Sequence, residues 1–446
     1  MPATIESLPV ELVVHVANYL DFQPACSLRL ASRTLADKLS PACLPQFFVY
    51  KNVKLDYESL NEFAYMTYPG RAGCVLQHCT ITGVAGDEPG EPALTTRRLN
   101  DAFAALKRNS PRAGLVSLRV NAESPTLEDL VNEDAQSLQD DDDAFKLNTH
   151  RALRILWRTA QEAFETTMAA LRESHLPVSE HVELRGVVHG CNLSYRETLL
   201  RITQLASATT VFSSLKKLTM SLSSMHMSLV QIPNSYDRTL YGKTLVRQSM
   251  HGSSLLQRLL AMLVFMPHLE ELDIYWYNVG SSDSSSLEED DTMNLDVTPP
   301  FEPPHLHLKA CSLRGLYVAG EDLLRYLKAV RPTKLTLTDI RLIPGTWTPI
   351  FECLSSSSLP ITSYHLDDLR EGRYGFLVHF DDVPGQAKFP YRGVQMGPST
   401  LTRRMSEIGT AIRYQCTTRR PLGSGARTRW LEGKTLEFGP PHPQWF

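Results

Sequence analysis

Apolar residues recur at helical spacing near the start of the chain. Between residues 8 and 20, the apolar positions 12, 13, 16, 17 and 20 follow the i, i+3/i+4 rule for one face of a helix. Pro9 suits the first helical position, and Glu11 falls in the first turn, where the helix dipole favours an anion. The pattern therefore predicts a short amphipathic helix.

Two more helices are predicted before Pro41. Pro24 can open a second helix that runs to Leu30, and Ser32 is a candidate cap for a third helix that carries Leu35. Three short helices cannot cover all the leucine and valine side chains of this segment among themselves. The segment is therefore either the edge of the following domain or a unit that binds a partner surface.

A different pattern, Leu-x-x-Leu-x-Leu with variations, recurs between residues 74 and 372. Copies begin at Leu76, Leu115, Leu215, Leu269, Leu313 and Ile361, and a shorter version covers Lys334 to Leu337. Alternate residues of a short strand point into one core, and the first leucine packs the turn before the strand. Helical spacing occurs beside these copies at 151–171, 255–265, 322–330 and 345–354. We therefore predict an α/β fold, stacked as an irregular leucine-rich-repeat-like solenoid. A non-repetitive α/β domain is the alternative.

The spacing of these copies is uneven. Leu272 and Leu316 are 44 residues apart and Leu316 and Leu335 are 19 apart, whereas regular leucine-rich repeats measure about 20 to 29 residues. Inserts must therefore interrupt the array. The candidates are the acidic segment 123–143 and the serine-, acid- and proline-rich segment 280–304, and we expect both to be solvated loops or disordered.

Composition and charge restrict the function. The 446-residue chain is 42% hydrophobic and 21% charged, as expected of an ordinary soluble protein, and its net charge of −4 gives no global field for nucleic acid or an anionic membrane. Residues 373–446 carry 11 basic and 5 acidic side chains, a net +6, which leaves −10 on the preceding residues. A basic cap on an acidic array is the simpler interpretation, and a polyanion-binding tail is the alternative.

The cysteines and the apolar runs indicate a cellular compartment. Eight cysteines are scattered without a C-x-x-C pair, which is typical of reduced, mostly buried thiols. No secretory signal is visible, and the most apolar run, Leu259 to Met266, is too short to span a bilayer. We therefore expect a protein of the cytoplasm, the nucleus or both.

Known catalytic motifs are missing from the sequence. It has no phosphate-loop, dinucleotide-binding, zinc-protease or serine-hydrolase motif. Two local groups contain metal-ligating residue types: His305, His307 and Cys311, and Cys74, His78 and Cys79. Neither group supplies the roughly four paired ligands of a zinc site, so structural histidines and buried thiols are favoured. We predict no catalytic residue, no metal ligand and no cofactor.

The N-terminal segment resembles the F-box. In that family Leu-Pro-x-Glu-Leu opens the first helix, a Tyr-Leu-Asp step ends it, and Leu-Arg-Leu-x-Ser-Arg leads into the third. The positions in register are Leu8, Pro9, Glu11, Leu12, Val16, Tyr19, Leu20, Leu28, Arg29, Leu30, Ser32 and Arg33. Many F-boxes have an aromatic residue where Leu35 stands, and many fungal ones have an aliphatic residue there. Segments 335–354 and 361–369 are similar to the terminal repeats of filamentous-fungal F-box proteins.

The resemblance implies a substrate-recognition subunit of an SCF-type ubiquitin ligase. Apolar side chains of the F-box would bind a groove of the Skp-type adaptor and, through it, a cullin, with Arg29 or Arg33 at a polar rim. The adaptor-binding residues would be Leu8, Pro9, Glu11, Leu12, Val16, Leu20, Leu28, Arg29, Leu30, Ser32 and Arg33. The array would hold an unidentified protein target near the conjugating enzyme, without a reactive residue of its own.

Other functions stay open at this point. The chain could be an interaction scaffold, bound to the adaptor or free, without a role in ubiquitination, or a divergent enzyme with a site in the concave face of the array. The expected organisation is an F-box module at 1–50, a connecting and first repeat region at 51–110, the irregular array at 111–372, and a partly β basic cap or tail at 373–446.

Overall fold

The chain forms a mixed α/β structure built around a large, mostly parallel sheet. The computed structural model describes residues 4–39, 47–85, 92–123, 142–184, 193–223, 238–277, 306–356, 358–372, 375–381, 383–387 and 395–416. The predicted insert at 280–304 and most of the one at 123–143 lie outside these residues.

The described residues contain ten α-helices and sixteen strands. The helices are α1 (Val10–Ala17), α2 (Phe22–Ala31), α3 (Arg33–Leu39), α4 (Tyr57–Met66), α5 (Pro92–Asn109), α6 (Asp142–Ser174), α7 (Tyr195–Ala208), α8 (Arg238–Leu263), α9 (Gly320–Val330) and α10 (Thr348–Ser355). The strands are β1 (Tyr50–Lys54), β2 (His78–Val84), β3 (Leu115–Glu123), β4 (Val178–Leu184), β5 (Leu193–Ser194), β6 (Lys217–Ser223), β7 (Glu271–Tyr277), β8 (Ala310–Arg314), β9 (Tyr317–Val318), β10 (Lys334–Thr338), β11 (Arg341–Leu342), β12 (Ser363–Asp367), β13 (Arg370–Glu371), β14 (Phe376–Phe380), β15 (Thr400–Arg404) and β16 (Tyr414–Cys416).

The strands of the large sheet follow the order of the sequence. The path runs β1, β2, β3, β4, β6, β7, β8, β10, β12 and β15, and β5 pairs with β6. Every pair on this path is parallel except β12 with β15, which is antiparallel and ends the sheet. A smaller sheet contains β9, β11, β13, β14 and β16 in that order. The α/β class predicted from the sequence is confirmed, and the large sheet is mostly parallel.

The three N-terminal helices have a small core of their own. Val13 and Ala17 of α1 and Leu35 and Leu39 of α3 are buried together. The predicted helices are found, with small shifts at their starts. Pro9 precedes α1, and α2 begins two residues before Pro24, because the first N–H groups of a helix need no intrahelical partner and Pro24 is tolerated there.

One face of the large sheet is apolar across its width. A single register row contains Val53, Ile81, Val120, Leu184, Met220, Ile274, Leu313, Leu337 and Leu366, all of them buried. Side chains of α4 to α10 belong to the same core. Gly83 of β2 shows how closely a helix approaches, since a Cβ at this position would lie 2.9 Å from Thr159 of α6. Truncating one side chain of this row to alanine would cost about 2 to 5 kcal/mol.

Most of the predicted strands are found, but one copy of the pattern was assigned wrongly. Leu313 lies in β8, whose inward residues are Cys311 and Leu313, whereas Leu316 leads into β9 of the other sheet. In the observed register, Cys311, Leu335 and Tyr364 are equivalent positions. Both intervals between them fall within the range of about 20 to 29 residues of regular leucine-rich repeats. The uneven repeat intervals around Leu316 therefore arose partly because Leu316, rather than Cys311, was aligned with the inward residues of the other strands.

Two parallel strands of the main path and three helices have no counterpart in the sequence prediction. Strand β1 was not predicted because Lys51 occupies an inward position at which the other strands of the path have an uncharged residue. Strand β4 was not predicted because Ser179 lies near the position of the first leucine in the Leu-x-x-Leu-x-Leu pattern. Helices α4, α5 and α7 were also missed. Helix α8 begins well before the predicted segment 255–265, and α6 includes Asp142 and Asp143 of the predicted acidic insert.

The C-terminal end of the described chain is a β structure held by aromatic contacts. The segment 373–446, predicted to be partly β, contains β14, β15 and β16. The ring of Phe351 in α10 lies 5.5 Å from Trp347, 5.9 Å from Phe380 and 5.1 Å from Tyr414. Trp347 donates its indole N–H to the carbonyl of Arg370 at 2.9 Å. Residues 417–446 lie outside the described residues.

Candidate interaction surfaces

The N-terminal helices carry exposed apolar side chains. We define the N-terminal apolar surface as Val10 (41% exposed), Leu12 (49%), Val16 (41%), Tyr19 (79%) and Leu30 (83%). Leu12, Val16 and Tyr19 lie at i, i+4 and i+7, on the same side of α1 and the turn after it. The single apolar face predicted for this helix therefore divides into a buried part and an exposed part, since Val13 and Ala17 enter the small core.

A lysine holds the start of the chain against the third helix. Lys38 of α3 donates hydrogen bonds of 2.7 Å to the carbonyl oxygens of both Glu6 and Leu8. The ammonium group also lies near the end of its own helix, where the dipole favours a cation. These two bonds fix the backbone just before Pro9 and so set the direction in which the chain enters α1.

The predicted adaptor-binding residues fall into two groups. Those exposed to solvent are Pro9, Glu11, Leu12, Val16, Arg29, Leu30 and Arg33. Those half-buried are Leu8, Leu20, Leu28 and Ser32. Leu8 and Leu28 pack against the small core, which makes them structural in this module. Val10 and Lys38 were not identified from the sequence; Val10 could have been found as an apolar residue one turn from Val14.

The second candidate surface is the polar face of the large sheet. Its first register row contains Tyr50, His78, Ser117, His181, Lys217, Glu271, Ala310, Lys334 and Ser363. Its second row contains Asn52, Thr80, Arg119, Glu183, Thr219, Asp273, Ser312, Thr336 and His365. Most of these side chains are at least partly open to solvent, in contrast to the apolar row on the opposite face.

The charges on this face are paired between neighbouring strands. The pairs are Arg119 with Glu183 at 2.7 Å, Lys217 with Glu271 at 3.2 Å, and Arg314 with Asp273 at 3.8 Å. Two further pairs at the strand starts join Lys216 to Glu180 at 2.8 Å and Lys309 to Glu270 at 2.7 Å. Each exposed pair stabilises the sheet by only about 0 to 1 kcal/mol, but together they neutralise the face from β3 to β8.

A pocket opens at the β1 end of this face. The β1–β4 pocket has a volume of about 380 Å³ and is lined by Tyr50, Lys51, Asn52, His78, Cys79, Thr80, Ser117, Leu118, Arg119, His181 and Glu183. The Tyr50 and His78 rings are stacked at 4.3 Å with an angle of 11° between their planes. Tyr50 is 70% exposed, so the stack presents an open aromatic wall.

Both histidines of the pocket are held by hydroxyl groups. His78 Nδ1 and Ser117 Oγ share a hydrogen bond of 2.8 Å, and His181 Nε2 and Thr219 Oγ1 share one of 3.2 Å. Burial lowers the pKa of His78, assisted by the charge of Arg112, and burial is also the main cause that lowers the pKa of His181. Both imidazoles therefore favour the neutral form at pH 7.

The fold separates the described members of the metal-ligating groups noted in the sequence, and His305 lies outside the described residues. Cys79 points into the apolar core, where burial raises the pKa of its thiol to about 12, whereas its neighbour His78 lies on the polar face. Cys311 is buried in the same way, with a pKa raised to about 12, and His307 bonds the carbonyl of Arg331 at 3.0 Å. The described residues contain no group of three or more histidine, cysteine or acidic side chains placed to hold a metal ion.

Comparison with known proteins adds no family assignment: the chain matches no protein-family model and no curated protein. Within the part of the chain that the structure describes, every helix is too short or too polar to cross a membrane.

Proposed function

We propose that this chain is the substrate-recognition subunit of an SCF-type ubiquitin ligase. The N-terminal helices would be an F-box that docks on the Skp-type adaptor and through it on a cullin. The observation that carries the proposal is the N-terminal apolar surface: the small core buries Val13, Ala17, Leu35 and Leu39, whereas Val10, Leu12, Val16, Tyr19 and Leu30 are open to solvent. Exposed apolar side chains that share one side of a helix, as Leu12, Val16 and Tyr19 do, are typical of protein interaction sites.

The rest of the chain would be an irregular leucine-rich-repeat-like solenoid that binds the protein target. Three features of the described residues support this interpretation: successive parallel strands, helices α4 to α10 packed in the apolar core of the sheet, and the repeat-like intervals between the equivalent positions Cys311, Leu335 and Tyr364. The polar face would be the target-binding side, with the reaction itself performed by other subunits. The alternative is an interaction scaffold that binds the adaptor, or acts alone, without a role in ubiquitination.

Two aspartate substitutions on the N-terminal apolar surface test the proposal. Leu12→Asp and Leu30→Asp each place a charge where an apolar contact with the adaptor is expected, and neither residue belongs to the small core. We expect the tagged full-length chain to recover at least tenfold less Skp-type adaptor and cullin from cell extract, since about 1.4 kcal/mol is enough for tenfold.

Leu94→Asp is the matched control. Leu94 is 40% exposed on α5, comparable to Leu12, but lies outside the three N-terminal helices, so adaptor recovery should equal that of the wild type. Wild-type recovery by both Leu12→Asp and Leu30→Asp would contradict the proposal. Recovery of adaptor without cullin would instead favour the scaffold.

A further inference from the structure

We propose that the β1–β4 pocket binds a neutral aromatic side chain, best a tyrosine, of the protein target. The inference rests on the proposed function, since it names the chemistry by which the polar face would select its target. The pocket lies where the first register row is uncharged on four adjacent strands, with Tyr50, His78, Ser117 and His181. Asn52 and Thr80 extend this uncharged region into the second row as far as Arg119.

The walls of the pocket suit an aromatic ring. The stacked rings of Tyr50 and His78 line the pocket, and an aromatic ring of the target can pack against them. Stacked or edge-to-face ring pairs stabilise one another beyond their apolar contact. Arg119 also lines the pocket, and its guanidinium plane is fixed because Nε and Nη2 both donate to Glu183 Oε2, at 2.9 and 2.7 Å. A fixed guanidinium plane is a second favourable surface for an aromatic ring.

The charge of the pocket favours a neutral occupant. Glu183 compensates Arg119, and Lys51 is paired with Glu62 of α4 at 2.9 Å. The two imidazoles favour the neutral form at pH 7. Both cations that line the pocket are therefore already paired, so a phosphorylated or acidic side chain would meet Glu183 without an unpaired lining cation to bind it, while a neutral ring loses little on leaving water.

The polar groups of the pocket distinguish tyrosine from an aliphatic side chain. Within the described residues, His78 Nε2, His181 Nδ1 and the Thr80 hydroxyl have no hydrogen-bond partner, so a phenol hydroxyl can donate to an imidazole nitrogen or accept from the threonine. An aliphatic occupant would leave these groups unpaired on desolvation, which is unfavourable. The volume of about 380 Å³ is near the lower limit for ligand pockets and suits one side chain.

The test uses blocked tripeptides and the full-length chain. Saturation-transfer NMR titrations with acetyl-Gly-Tyr-Gly-amide, acetyl-Gly-Leu-Gly-amide and acetyl-Gly-phosphotyrosine-Gly-amide measure three dissociation constants. We expect saturable binding of the tyrosine peptide and at least tenfold weaker binding of the other two. Thr80→Trp, which fills the pocket, should weaken binding of the tyrosine peptide at least tenfold.

Thr336→Trp is the matched control. Thr336 occupies the same register row as Thr80, but on β10 and away from the pocket, so this variant should bind the tyrosine peptide like the wild type. The proposal is overturned if the tyrosine peptide does not bind, if the leucine or phosphotyrosine peptide binds equally well, or if Thr80→Trp has no effect. Adaptor recovery by Thr80→Trp should be unchanged, so failure here is distinguishable from failure of the proposed function.

Discussion

At the scale of single residues, three histidines make the stability of the fold depend on pH. His78 and His181 lie on the polar face, and His379 is fully buried in β14, where its Nδ1 and the carbonyl of Gly397 are 2.9 Å apart. Burial is the largest cause that lowers the pKa of each of the three. The lowered pKa values could not be predicted from the sequence, because a histidine in a strand pattern is equally compatible with an exposed or a buried position.

We expect the protein to lose stability in mild acid. The pKa values of these histidines in the folded chain lie below the ordinary 6.5 of the unfolded chain. At a pH below about 6.5 the unfolded chain therefore binds more protons than the folded chain, and the free energy of unfolding falls as the pH is lowered through the folded-state pKa values. Each group contributes a slope of at most about 1.4 kcal/mol per pH unit. Urea unfolding at pH 7.5 and 5.5 measures the effect.

The His379→Gln variant isolates one of these groups. Glutamine can still donate to the Gly397 carbonyl but does not titrate, so the difference in unfolding free energy between pH 7.5 and 5.5 should shrink. An unchanged difference would mean that His379 titrates normally in the folded chain.

At the scale of elements, the smaller sheet shows why the strand frame near Leu313 could not be predicted. The chain leaves β8 through Gly315 at a φ of 76° and enters β9 of the smaller sheet, and Asp339 and Asp368 make the same left-handed step after β10 and β12. Strands β8 and β9, which belong to different sheets, therefore follow one another so closely that Leu313 and Leu316 match the leucine pattern of a single strand. Helix α8 packs on this second sheet through Ser249, Gly252 and Ser253.

Substitution of Gly252 should destabilise this contact. A Cβ at Gly252 would collide with the carbonyl group of Tyr317 in β9, a backbone atom that cannot move aside easily. Although alanine favours a helix by about 1 kcal/mol over glycine, we expect Gly252→Ala to lower the free energy of unfolding by about 2 kcal/mol. Urea unfolding followed by tryptophan fluorescence reports it, since Trp276 and Trp347 are buried in the main core.

Gly409→Ala is the control for this substitution. Its Cβ would meet nothing within 4 Å, so the free energy of unfolding should change by less than about 0.5 kcal/mol. A stability of Gly252→Ala equal to that of the control would mean that α8 does not rest on β9 in solution.

At the scale of the whole molecule, the described residues form two main cores of very different size, besides a two-residue cluster of Tyr317 and Ile343. One contains four buried residues of α1 and α3, and the other extends from Val53 to Leu401. The three-helix pattern and the large α/β region were both predictable from spacing, because leucines at period 3.6 and at period 2 are physically distinct signals. The β1–β4 pocket was not predictable, since it depends on which side chains of strands far apart in the sequence become neighbours.

Deletion of residues 1–46 tests the independence of the two cores. Because the main core contains no described residue of α1 to α3, we expect the chain 47–446 to unfold thermally within about 2 °C of the full-length protein while adaptor recovery is lost. A fall of the midpoint by more than about 5 °C would mean that the helices are the edge of the following domain.

The sequential order of the large sheet has a consequence for synthesis on the ribosome. Each strand from β2 to β12 on the main path pairs with the strand made just before it on that path. The ribosome adds about 10 residues per second, so each new strand follows its partner by about 2 to 6 s. Parallel strands joined by a long connection pair more slowly than the microseconds of a β-hairpin, but a longer connection adds little to the entropy cost of closing it, so the seconds between strands favour pairing in order of synthesis. The sheet can therefore grow strand by strand from the N-terminal side as the chain emerges, until antiparallel β15 terminates it.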